Sequence, residues 1–276
     1  MMKALFEILP ESVDATNCVL VCEISNEGFS YAIKDDEQNS YVAVAMFQFE
    51  KGVESDDHAG NLHDVINAQP MLAGNFKKVC IMYSFAESVL IPFALYSSLE
   101  NENVINLVHG DIQSDTSILT DLITERGVYN VYRVPTSIIN VVKSHFPVTC
   151  DLHQYSVLLK QVVVKEDTLH IIFFPQRIVL KLDTKGRTEL INSYRYNTAE
   201  DVSYILLNTC KQFDVENIPV EVSGLIEEDS ALFKEIYKYF ETINFASLPA
   251  ECNYAERIIQ QPSHYFNHIF AIDSCE

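Results

Sequence analysis

Residues 218–245, IPVEVSGLIEEDSALFKEIYKYFETINF, decide the fold. A short apolar run ends in Ser223-Gly224, and an acidic turn, Glu227-Glu228-Asp229, follows it. From Ser230 onward, Leu232, Phe233, Ile236, Tyr237 and Phe240 fall on one helical face, with Lys234, Glu235, Lys238 and Glu241 on the other. A second extended run, 243–245, closes the stretch. Strand, glycine turn, helix and strand make the repeating unit of α/β domains, whose ligands collect where strand gives way to helix. This turn lacks what a phosphate cradle needs. It has a single glycine, no lysine follows it, and three acids at the helix start repel an anion.

Working outward, the preceding segment reads as a helix over 198–213. Thr198 with Asp201 three positions on forms a capping-box pattern, and Val202, Ile205, Leu206, Thr209, Cys210 and Phe213 recur at helical spacing. Before it come three strand-like runs, 168–174, 177–182 and 189–194, joined by Pro175-Gln176 and by Asp183-Thr184-Lys185-Gly186. The first half opens the same way, with runs at 19–24, 29–34 and 41–49 separated by turn-forming residues. In the third run Tyr41, Ala43, Ala45, Phe47 and Phe49 alternate with Val42, Val44 and Met46, so both faces are apolar and an interior strand is expected. A polar linker, 50–60, leads to a helix over 62–72 that Pro70 cuts short, and 79–83 reads as a buried strand. The apolar run 89–95 has no assignable period. Ser114-Asp115-Thr116, the stripe Ile118, Leu119, Leu122, Ile123 and the stop at Gly127 predict a helix, followed by a strand over 128–134 and a helix over 137–146. Residues 151–160 complete the series as a further helical stretch. Each half thus reads β-β-β-α-β-α, an α/β pattern repeated, with domains expected at 1–148 and 149–276. The tail is aperiodic until the aromatic stretch 264–273.

Composition narrows the functions. In 276 residues, 39 acids against 19 bases give a net charge of −20, which opposes a phosphate backbone or an anionic membrane. Nucleic acid is therefore not an expected partner. No apolar run approaches the ~18 residues of a membrane span, and the opening residues lack a secretory apolar core, so no membrane insertion and a cytoplasmic location are expected. The seven cysteines include no C-x-x-C pair and read as small buried thiols, with Cys18 and Cys22 on one face of a strand.

Three antiparallel strands feeding α/β units, twice over, resemble the tandem ribonuclease H-like domains of the actin-like ATPase fold. More narrowly, ELINSYRYNTAEDVSYILLNTCKQFDVE (189–216) running into VEVSGLIEEDSALFKEIYKYFETINF (220–245) resembles an uncharacterised bacterial family of that fold with no assigned function, a likeness that extends to Asp151-Leu152-His153. In active members of the superfamily two glycine-containing hairpins grip phosphates, an aspartate holds hydrated Mg²⁺ and a Gly-Gly turn lies against adenosine. The resemblance places the first hairpin at 23–28, where Glu23-x-Ser25 replaces Asp-x-Gly and the one glycine, Gly28, comes late. Neither Pro175-Gln176 nor 183–186 has the second Asp-x-Gly. Ser223-Gly224-Leu225 stands at the adenosine turn, with Leu225 in place of the second glycine. The implied nucleotide positions are therefore Glu23, Gly28, Ser223 and Gly224 in a vestigial cleft, to which Asp111 is added because His109-Gly110-Asp111 follows an apolar run and precedes an expected helix. Non-glycine side chains resist the close approach that an amide cradle requires, so the departures argue against a working ATPase.

Glu23 and Asp111 are the only acids with a metal role to consider: a Mg²⁺ pair on one reading, a strand-end charge and a turn acid on the other. His264 and His268, four apart, have zinc spacing but lack the glutamate of H-E-x-x-H and sit among Tyr265, Phe266, Ile269 and Phe270, which favours aromatic packing with polar tips. His58 and His63 beside Asp56, Asp57 and Asp64 read as an acidic loop, and His153 as a buried, hydrogen-bonded histidine. No nucleophile elbow, P-loop or dinucleotide fingerprint is present. The expected function is a non-catalytic interaction module without a cofactor, binding a protein partner through its acidic surface. The rival is a divergent ATPase or phosphotransferase that takes ATP and Mg²⁺ in the interdomain cleft. Self-assembly into a homo-oligomer is a third expectation.

Overall fold

The computed structural model describes residues 3–49, 55–111, 115–161 and 166–272. The chain divides into two compact units: Met1–Gln161 with Ala250–Gln260 and Ala271–Glu276, and Val162–Pro249 with Gln261–Phe270.

The first unit begins with a strand that sequence periodicity does not reveal, β1 (Lys3–Ile8), and continues with the expected meander β2 (Cys18–Ile24), β3 (Gly28–Asp35) and β4 (Ser40–Gln48). Helix α1 (Ser55–Ala68) and β5 (Lys78–Tyr83) follow, then β6 (Ser88–Pro92), α2 (Asn101–His109), β7 (Thr116–Ile123), β8 (Val128–Pro135), α3 (Thr136–His145), β9 (Cys150–His153) and α4 (Gln154–Lys160). The main sheet runs β1-β4-β3-β2-β5-β9; β2 pairs antiparallel with β3 and parallel with β5, and β5 pairs parallel with β9. As its two apolar faces require, β4 is interior, between β1 and β3. Leu20, Cys22 and Ile24 of β2 share a core with Leu62, Val65 and Ile66 of α1 and Ile138, Ile139 and Val142 of α3. Each such leucine, isoleucine or valine side chain contributes about 1.5–3 kcal/mol on burial.

The expectations for this unit need four corrections. The helix begins at Ser55, within the residues assigned to a polar linker, so His58, His63 and Asp64 are helical rather than part of an acidic loop; the linker's remaining residues, 50–54, lie outside the described residues. The helix expected from Ser114 is strand β7, because the β-branched Thr116, Ile118, Thr120 and Ile123 favour extended backbone and Asp121 and Ile123 are buried while Thr120 and Leu122 are exposed, a period of two; Ser114 itself lies outside the described residues. Residues 151–160 are not one helix but β9 followed by α4, in which His153 Nδ1 accepts the Tyr155 N–H at the helix start. Finally, β8 is not a strand of the main sheet. It is the centre of a separate antiparallel sheet, β6-β8-β7, with α2 packed on it, and this insertion of a sheet and helix between β5 and α3 contains the apolar run 89–95.

The second unit matches the expected order. β10 (Thr168–Phe173), β11 (Arg177–Thr184) and β12 (Arg187–Arg195) form the meander, α5 (Ala199–Gln212) carries the Thr198–Asp201 capping box, and β13 (Val220–Gly224), α6 (Ala231–Tyr237) and β14 (Ile243–Phe245) follow. The sheet order is β12-β11-β10-β13-β14, with β10 antiparallel to β11 and parallel to β13. This is the same arrangement as β4-β3-β2-β5-β9. The chain then returns to the first unit, pairing β15 (Asn253–Tyr254) with β4 and adding α7 (Glu256–Ile259), before α8 (Asn267–Phe270) packs on β13 in the second.

Candidate functional site

In each unit the ligand-prone position is the carboxyl end of the parallel strands. In the first unit these are the ends of β2, β5 and β9, which supply Glu23, Ser84 and His153-Gln154. Glu23 is buried, and its Oε1 accepts a hydrogen bond from Gln154 Nε2 at 3.2 Å; Gln154 Oε1 in turn accepts from Ser84 Oγ at 2.7 Å. The Ser84 N–H donates to the Ile24 carbonyl, tying the ends of the two strands together. The carboxylate expected to face Mg²⁺ thus holds an amide of its own chain.

The adjacent group is equally closed. His153 is fully buried; its Nε2–H donates to the Phe85 carbonyl at 2.8 Å and Nδ1 accepts the Tyr155 N–H at 3.1 Å. A carbonyl only accepts and an amide N–H only donates, so these bonds fix one neutral tautomer. The His153 N–H donates to Asp121 Oδ2 at 2.7 Å, and Tyr132 donates its hydroxyl to Oδ1 at 3.1 Å. Burial pushes the Asp121 carboxyl above its ordinary value, against the opposing hydrogen bonds from Ser156, His153 and Tyr132. These bonds bear out the expected buried, hydrogen-bonded His153.

The β2–β3 hairpin spends its amides internally. The Ser25 N–H donates to the Gly28 carbonyl at 3.0 Å, and the Glu27 N–H to Ser25 Oγ at 3.1 Å. Gly28 has an ordinary negative φ; a Cβ there would lie 2.1 Å from the Phe47 carbonyl oxygen, so this glycine serves the close approach of β3 to β4. Asp111 is exposed just past the end of α2, whereas Glu23 is buried at the end of β2. Among the described residues no group of three or more His, Cys, Asp or Glu side chains is arranged to hold a metal.

In the second unit, Ser223 and Gly224 end β13. Ser223 is buried, its hydroxyl directed at the Ile171 carbonyl at 3.4 Å. Gly224 has φ +78°, and a Cβ there would come within 2.3 Å of the Phe173 carbonyl oxygen. The turn's amides all have protein acceptors: Gly224 N–H donates to His264 O at 2.8 Å, Leu225 N–H to Phe173 O at 2.8 Å and Ile226 N–H to Gly224 O at 3.0 Å. The tail fastens itself over the turn. His264 Nε2–H donates to the Ile226 carbonyl at 2.7 Å, Tyr265 donates its hydroxyl to Glu227 at 3.1 Å, and Ser263 donates to the Ala246 carbonyl at 2.9 Å. Burial holds the His264 imidazole below its ordinary pKa, in keeping with a neutral donor. His264 lies in a turn, not on the helix that holds His268, so the two imidazoles do not share a helix face; His264 packs on Phe245 at 4.5 Å between ring centres and His268 on Phe174 at 5.3 Å. The end of an apolar run marks Ser223-Gly224 and the family resemblance marks Glu23, but neither finds Gln154, Ser84 or the His264 carbonyl. Glu23 and Gln154 are 131 residues apart, and no local pattern announces such a pair.

A model of a protein family of unknown function, DUF3822, matches residues 11–243. The chain belongs to this DUF3822 family. No curated protein matches it. Among solved structures, the DUF3822 chain is similar to a Bacteroides thetaiotaomicron VPI-5482 protein described as having an actin-like ATPase fold and unknown function, with 16% identity, a TM-score of 0.78, and 97% of this chain covering 100% of that one. It is also similar to a chain of the PilM–PilN type IV pilus biogenesis complex, with 9% identity and a TM-score of 0.59, covering 96% of this chain and 99% of the other. At such identities the likeness shows fold alone, and the fold is the actin-like ATPase fold, with its two ribonuclease H-like sheets. Among the described residues no helix is long and apolar enough to cross a membrane.

Proposed function

We propose that this DUF3822 protein is a non-catalytic interaction module of the cytoplasm, an actin-like fold whose nucleotide-binding turns are occupied by its own chain and whose acidic surface receives a protein partner. The observation that carries the reading is the Gly224 N–H bonded to the His264 carbonyl, with Leu225 N–H bonded to Phe173. Amides already paired inside the protein gain little by turning to a phosphate or an adenosine, because the exchange leaves buried carbonyls unsatisfied. The Gln154 amide on Glu23 supports the same reading in the first unit. Without ATP or Mg²⁺ as a cofactor, the fold acts as a shaped surface, and the similar pilus structure is a fold of this kind in a two-protein complex. Amide hydrogen exchange tests the reading. Gly224 and Leu225 are expected to be protected in the protein alone and unchanged by saturating Mg-ATP. Fast exchange in the protein alone that slows when Mg-ATP is added would overturn it.

A further inference from the structure

The exposed apolar side chains are concentrated in the β6-β8-β7 insertion of the first unit. Phe93, Leu95, Leu99, Leu107, Val108 and Leu122 are all exposed there, Leu95 to 76% and Leu99 to 89%. Two of them, Phe93 and Leu122, flank one aromatic platform. Leu122 on β7 stands opposite Tyr129 on β8, Tyr129 stacks on Tyr96 with ring centres 3.7 Å apart, and Phe93 leans on the same ring at 5.2 Å. Asn101 Nδ2 donates to Thr120 Oγ1 of β7 at 3.1 Å and so fastens the chain just after Leu99 to this strand.

β7 is also a sheet edge: the strand order ends on it, and among the described residues no strand pairs with its outer side. Natural edge strands discourage pairing with proline or with charged side chains, lysine above all. The β7 sequence TSILTDLI has neither proline nor lysine, and the carboxylate of its one charged residue, Asp121, is taken up by Tyr132 and the His153 N–H rather than left to meet an added strand. The opposite edge, β6, ends in Pro92.

The rim of this surface is acidic. Glu100, Glu102 and Glu125 are exposed. The insertion's two arginines are committed within the protein: Arg126 donates to the carbonyls of Leu159 and Gln161, and Arg133 to Glu87, Asn106 and the Gly110 carbonyl. A second copy would bring the same acids against themselves, and like charges across an interface are unfavourable.

We infer that the β7 edge with the Phe93–Tyr96–Tyr129–Leu122 platform is the docking site for an extended segment of a partner protein, one that alternates apolar residues with lysine or arginine and adds to the sheet as a further strand. Backbone pairing supplies affinity, the platform takes the apolar positions, and the glutamates select the charge. The inference rests on the interaction-module reading and gives that module its partner chemistry.

The test uses the full chain and three fluorescein-labelled ten-residue peptides in anisotropy titrations: one alternating valine with lysine, one alternating valine with glutamate, and one with the valine–lysine composition in two blocks. The alternating cationic peptide is expected to bind at least tenfold tighter than either of the others. Leu122→Lys is expected to weaken it at least tenfold, and the double variant Glu100→Gln/Glu125→Gln severalfold. Val148→Lys, a change at an exposed apolar residue elsewhere in the unit, leaves it unchanged. Equal binding of the cationic and anionic peptides, or of the alternating and block peptides, or indifference to Leu122→Lys with an unaltered circular dichroism spectrum, overturns the proposal. So does a dimer in light scattering that Leu122→Lys dissociates, since the occupant is then a second copy. Mg-ATP titrated into the same samples separates the two readings. Nucleotide binding refutes the closed turns whether or not the peptide binds, and peptide failure without nucleotide binding refutes this surface alone.

Discussion

At the residue scale, Gly224 is the position on which the closed turn after β13 depends. Its φ of +78° and the 2.3 Å between an added Cβ and the Phe173 oxygen mean that alanine there meets both a left-handed backbone penalty and a clash with backbone that cannot move aside. Gly224→Ala is expected to lower the unfolding free energy by about 2–5 kcal/mol, read from urea denaturation; a loss under ~0.5 kcal/mol would mean that the turn is not built as described. A second residue-scale prediction concerns His170, on β10. Burial depresses its pKa, but the carboxylates of Asp183 at 3.3 Å and Glu221 at 3.0 Å, against the opposing charge of Lys181, more than reverse this and leave it above the ordinary value. A histidine raised on folding contributes stability that is complete below its unfolded pKa, near 6.5, and is lost as pH rises through the folded value. The melting temperature is therefore expected to fall as pH rises through that window, and His170→Gln to flatten the fall. A pH-independent wild type would contradict the ion-pair geometry. The Ser223-Gly224 turn is legible in sequence, since a glycine closing an apolar run marks a strand end. That His264 closes it is not legible, because a backbone carbonyl carries no signature of its partner 40 residues away.

At the scale of elements, the meanders were readable because turn-forming residues punctuate them, and α5 because Thr198 and Asp201 bond each other's backbone N–H groups. Thr198→Ala is expected to cost about 1 kcal/mol, with the loss visible in thermal melts followed by circular dichroism. No change in the melt would place the stability of α5 in its packing alone. The sequence of β7 is ambiguous for a physical reason: Ile118, Leu119, Leu122 and Ile123 satisfy a helical stripe as well as a strand, and only pairing with β8 over Thr116–Ile123 decides between them. In α2 the apolar residues Val104, Ile105, Leu107 and Val108 span too few positions to fix a period, and only Ile105 of the nine is buried. β1 lies at the edge of its sheet with largely exposed or half-buried side chains, so it too lacks the pattern of a covered strand.

For the whole molecule, the repeated sheet order β4-β3-β2-β5-β9 and β12-β11-β10-β13-β14 is what the repeated order of elements predicted. The inserted sheet was invisible because antiparallel hairpins and α/β units share the same short apolar runs. The net charge of −20 is a property of the whole chain, and self-repulsion of that size is screened by salt. The melting temperature should rise when NaCl is increased from about 0.02 M to about 0.3 M, where the Debye length falls to a few ångströms; a fall would place net attraction among the surface charges. On the proposed reading, the nucleotide turns of this actin-like fold are filled by its own chain. Calorimetric titration of the protein with Mg-ATP tests this. No heat of binding and no shift in melting temperature are expected, whereas a micromolar site, worth about −8 kcal/mol, that is lost in Glu23→Ala would contradict the proposed reading.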